Sequence, residues 1–135
     1  MLIVNENEMI ITKEELKIGK LIINGEEGYN LCLSLDFVYN NQKGYINLSA
    51  GYEKENDIKL FINKEYKGIP FDHNNNEIGI FEVFDTQKFF DTEIESEIKL
   101  ILNNYNNNQI HAQFEVCDEL INIKYDGSLT VSNLI

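Results

Sequence analysis

Apolar and polar residues alternate along most of this chain. The clearest stretch is YNLCLSLDFVY, residues 29–39. Tyr29, Leu31, Leu33, Leu35, Phe37 and Tyr39 share one face, and Asn30, Cys32, Ser34, Asp36 and Val38 share the other. A strand with one buried face gives that pattern. NNQKG then turns the chain, and YINLSAGY at 45–52 sets Ile46, Leu48, Ala50 and Tyr52 together. The two segments predict a hairpin. KLIIN at 20–24, ended by a turn at Gly25–Gly28, and IKLFIN at 58–63 also read as strands, as does QIHAQFEV at 109–116. IGIFEVF at 78–84 is apolar on both faces, the pattern of a central or covered strand.

Three segments depart from simple alternation. Thr12 and Glu15 have capping-box spacing, which predicts about one helical turn before Gly19. Phe90, Ile94, Ile98, Ile101, Leu102 and Tyr105 recur at helical spacing, and Thr92 with Glu95 repeats the capping box. Glu93, Glu95 and Glu97 suit a helix N-terminus, so a helix is expected over 93–104, with a strand as the alternative. Near the C-terminus, Tyr125-Asp126-Gly127 reads as a three-residue turn joining strands 120–124 and 128–131. The expected fold is mainly β (α+β). It is a curled antiparallel sheet of about 7–8 strands with one helix near residues 93–104, and the alternative is an all-β sandwich or barrel. No linker or repeat divides the chain, so residues 1–135 are expected to form a single domain.

Charge changes the picture more than composition does. Of 135 residues, 43% are hydrophobic and 25% charged, ordinary values for a folded domain. The net charge, however, is −12, from 11 Lys and Arg against 23 Asp and Glu. Such a surface repels phosphate backbones and anionic headgroups, which argues against nucleic acid and membrane partners. It attracts a basic protein. MLIVNENEMIITKEE lacks the basic start and long apolar core of a signal peptide, and the widely spaced Cys32 and Cys117 suit free thiols, so a cytoplasmic location is expected.

No spacing names a reaction. There is no G-x-S-x-G elbow, phosphate-binding loop or dinucleotide fingerprint, so no enzyme activity and no cofactor is expected. Asp72, His73 and Glu77 share one loop, but their spacing matches no metal motif and no metal is expected there. His111 shares a strand face with Gln109, Gln113 and Glu115, a wet face or a recognition surface. The best candidate contact surface is acidic and loop-rich: Glu53, Glu55, Asp57, Glu65, Asp72 and Glu77, with Tyr66 as an aromatic anchor and Glu93, Glu95 and Glu97 as possible additions. These residues point to a small acidic protein-binding module. Its concrete form is an immunity-type protein that neutralises a basic toxin, such as a nuclease, by charge-complementary binding. The alternative is a small-ligand-binding or enzymatic β domain with a pocket in the curled sheet.

Overall fold

A computed structural model describes residues 1–68, 78–84, 98–117 and 122–132. They form one curled, half-barrel sheet with strands in the order β5-β7-β8-β9-β1-β2-β3-β4-β6. In chain order the strands are β1 Leu2–Val4, β2 Asn7–Ile23, β3 Glu26–Tyr39, β4 Gln42–Glu53, β5 Lys64–Gly68, β6 Ile78–Phe84, β7 Ile98–Asn106, β8 Gln109–Cys117 and β9 Asn122–Ser132. Neighbours are antiparallel, except that β2 runs parallel to the end of β9 at Leu16↔Val131 and Lys17↔Ser132. That contact forms where β1 is too short to separate them. The two edge strands, β5 and β6, approach each other, so the sheet is curled almost onto itself.

Asparagine makes this topology possible. Four hairpins close with two-residue loops whose residues both have positive φ: Asn5-Glu6, Asn24-Gly25, Asn40-Asn41 and Asn107-Asn108. Positive φ at both positions marks a type I′ turn, whose twist matches that of the strands. Asn tolerates this backbone better than other residues with a Cβ. Irregular positions add curl. Thr12 is an extra residue in β2, between Ile11↔Phe37 and Lys13↔Asp36. Gly51, at φ 76°, lies in a second bulge, between Leu31↔Ala50 and Tyr29↔Glu53. Asn104, at φ 56°, lies in a third, in β7. Each bulge bends its strand and increases twist.

The concave face holds the core. Leu31, Leu33, Leu35 and Phe37 of β3 are buried, opposite Leu16 and Ile18 on one side and Ile46, Leu48 and Ala50 on the other. Leu100, Leu102, Ala112, Phe114, Ile123 and Tyr125 continue it through β7, β8 and β9. Burying one Leu or Phe contributes about 1.5–3 kcal/mol, so this face outweighs any local preference.

That competition explains the corrections to the sequence expectation. The helix expected over 93–104 is replaced from Ile98 onward by β7, while residues 93–97 lie outside the described residues. Ile98, Leu100 and Leu102 are buried and Lys99 is exposed, so the sheet selects period two over the helical spacing in the same residues. Thr12 sits in a bulge, not at a helix start. Ile58–Leu60 form a 3-10 turn rather than a strand. Asp57 Oδ1 caps it by accepting from Lys59 N at 3.0 Å. KLIIN turns one residue earlier than expected, at Asn24-Gly25. Strand β6 pairs with β4 alone among the described residues and so stands at an edge. Asp126-Gly127 does not turn at all, because β9 runs straight through it.

Candidate functional site

The outer face of the sheet carries the most organised polar side chains. Alternation fixes their direction: Ile110, Ala112, Phe114 and Val116 point into the core, so His111, Gln113 and Glu115 point outward. His111 Nε2 lies 2.7 Å from Asp126 Oδ1 on β9, and its Nδ1 lies 3.2 Å from Asn103 Oδ1 on β7. Gln113 Nε2 donates to Asp126 Oδ2 at 2.9 Å. Four side chains are thereby tied across three strands. The His111 bond, then the Gln113 bond, hold the Asp126 carboxyl below the usual Asp range. A shallow concavity of about 310 Å³ adjoins this network, lined in part by Ile3, Lys99, Ile101, Gln113, Glu115 and Lys124.

A second outward feature is apolar. The register sets Ile10 of β2 opposite Val38 of β3, and the next position on the other side is Met1. Ile10 is 68% exposed and Met1 60%, while Ile3, Val38 and Ile101 are half-buried nearby on the same face. Charges surround this row in equal number. Lys13, Lys17, Lys43, Lys67, Lys99 and Lys124 point outward from the strands, as do Glu8, Glu15, Asp36, Glu65, Glu115 and Asp126.

The residues proposed from sequence are dispersed differently. Glu53 ends β4, and its Oε1 is 3.2 Å from Lys64 Nζ. Glu55 is exposed just beyond it, and Asp57 is occupied in capping the 3-10 turn. Glu65 points outward from β5. It lies 3.2 Å from Lys67 and 3.5 Å from Lys99, and the Lys67 hydrogen bond is the main cause lowering its carboxyl pKa. Tyr66 is corrected: it lies within β5 with only 6% exposure, and its hydroxyl donates to the Phe61 carbonyl at 2.9 Å. Burial pushes its phenol up to about 12. A strand residue facing the core cannot serve as an exposed anchor. Asp72, His73, Glu77, Glu93, Glu95 and Glu97 lie outside the described residues.

Cys32 also points outward, from β3, with Sγ 3.6 Å from Asn30 Oδ1 and 3.8 Å from Ser49 Oγ. Three strands separate β3 from β8, so Cys32 is remote from His111. Among the described residues no three or more His, Cys, Asp or Glu side chains gather as metal ligands, and no helix is long and apolar enough to cross a membrane. Sequence reasoning singled out His111 but missed Asp126, because the Asp-Gly pair was taken as a turn. Comparison with known protein families, curated proteins and solved structures finds no match.

Proposed function

We propose that this protein is an acidic protein-binding module that docks on a basic protein partner. Its specific form is an immunity-type protein that neutralises a basic toxin, such as a nuclease, in the cytoplasm. The observation that carries this reading is the distribution of charge. Between positions 69 and 97 stand eight carboxylates and one lysine, whereas Lys64, Lys67 and Lys99 hold Glu53 and Glu65 in ion pairs. The acid-rich chain leaves the sheet at Gly68 and rejoins it at Ile98, so it is anchored on the edge strand β5 and on β7 beside it. A negative field concentrated in one part of the chain steers a basic partner and raises its association rate. Asp72 and Glu77 belong to that part; Glu53, Glu55, Asp57 and Glu65 extend it across the strand ends.

The test is binding to a basic partner isolated with the protein from its native host, or encoded beside it, measured at low and high salt. Association slows markedly as salt rises if charge steers the complex. Asp72→Lys with Glu77→Lys weakens it further. An affinity that salt leaves unchanged, or a complex indifferent to the double reversal, removes charge complementarity as the basis of binding.

A further inference from the structure

We infer that the outer face centred on Ile10 is a self-association surface, on which a second copy of this chain packs sheet against sheet. Three observations point to a copy of the chain rather than to another occupant.

The first is an apolar centre without cover among the described residues. Ile10 is the most exposed side chain of this face at 68%, and Val38 and Ile3 flank it at half-burial. Interfaces place such residues at their centre and polar groups at the rim. The second is charge. A chain of net charge −12 repels its own copies wherever its acid excess lies. This face is the exception, because lysines and carboxylates point outward from it in equal number. Their signs also alternate across the strands: Lys99, Glu115 and Lys124 follow one another in register, and Ile3 then leads to Glu8. A balanced, alternating pattern can meet itself with opposite signs in contact, which a uniformly acidic surface cannot. A strongly basic partner gains little here, since the lysines repel it as much as the carboxylates attract it.

The third is area. A stable interface buries about 800 Å² per partner, close to a tenth of the 7995 Å² surface. Six neighbouring strands from β7 to β3 span about 29 Å, and six residues along them about 20 Å, a plan area of about 600 Å² that side-chain relief raises toward the requirement. The interface meets that requirement only narrowly, so the dimer is a weak one. Two such sheets stack about 10 Å apart, with strands inclined by about 30°.

The experiment is sedimentation velocity on the full chain from micromolar to near-millimolar concentration, at physiological and at high salt. The expected result is a concentration-dependent shift from monomer to dimer that added salt does not abolish, because attractive and repulsive pairs cancel on a balanced face. Ile10→Lys weakens the dimer by about a factor of ten or more, since it buries an unpaired charge at the centre twice over. Ile10→Ser weakens it less. Both variants keep the parent melting temperature, because Ile10 is exposed in the monomer. A chain that stays monomeric at every concentration overturns the inference, as does a dimer that Ile10→Lys leaves intact. Persistence in high salt also separates this contact from the salt-sensitive complex proposed above, so either can fail alone.

Discussion

Gly127→Ala tests how the middle of β9 is built. Gly127 does not occupy the left-handed region, so its backbone accepts a side chain. The obstacle is space. A Cβ there meets the Tyr125 hydroxyl in direct overlap, and comes to 2.8 Å from Tyr125 Cζ and 2.9 Å from Glu14 Oε2. The ring cannot give way cheaply. Tyr125 is 2% exposed, stacks on Phe114 with centroids 5.3 Å apart, and donates to Glu14 Oε2 at 2.5 Å. Burial first, and the Glu14 bond second, push its phenol pKa far up, so it stays a donor. Overpacking costs about 1–3 kcal/mol. Losing a hydrogen bond to a charged partner costs about 1.5–3 kcal/mol more. The stiffer unfolded chain returns about 0.4–1 kcal/mol. The net expectation is a loss of about 3 kcal/mol, a large share of the roughly 5–15 kcal/mol a domain possesses. Urea unfolding should show a lower midpoint at unchanged slope. In a Tyr125→Phe background, which removes the overlapping hydroxyl, the same change should cost at least about 1 kcal/mol less. A neutral or stabilising Gly127→Ala would refute the account, because it would mean that the ring does not need the missing Cβ.

Gly51→Ala should also destabilise, for a different reason. Its φ of 76° strains any side chain, and a Cβ comes within 3.1 Å of Phe61, so a loss of about 2 kcal/mol is expected in the same urea assay whatever happens at Tyr125. Tyr66→Phe should cost about 1–3 kcal/mol by leaving the Phe61 carbonyl without its buried donor, while leaving binding to a basic partner untouched. Leu35→Ala, at a position with no exposure, should cost about 2–5 kcal/mol in a single cooperative transition. Asp126 gives a pH test. Its folded pKa is depressed, so its contribution is present above the unfolded value of about 3.9 and disappears as pH falls through the lower folded value. Stability profiles of the parent and Asp126→Asn should therefore converge at strongly acidic pH, and curves that stay parallel throughout would show that the His111–Asp126 bond contributes nothing.

The sequence alone determined that this chain forms a curled antiparallel sheet. Leu31 to Phe37 and Ile46 to Ala50 alternate so regularly that only one pairing buries both sets, and β3 and β4 adopt it. It also supplied the hairpin turns, since Asn is the residue a type I′ loop tolerates, although Asn24-Gly25 was placed one residue late. Tertiary structure decided the rest. Ile98, Ile101, Leu102 and Tyr105 satisfy a helical period and a strand period over the same stretch, and the open edge of β8 selected the strand by satisfying backbone groups that local sequence leaves undetermined. Asp126-Gly127 has turn chemistry, yet β8 and β1 on either side hold β9 extended, and the glycine serves to admit a tyrosine ring two residues back. The His111–Asp126 pair, the bare row at Ile10 and the burial of Tyr66 all depend on which strands become neighbours. That is settled by contacts distant along the chain, whose energies no local pattern records.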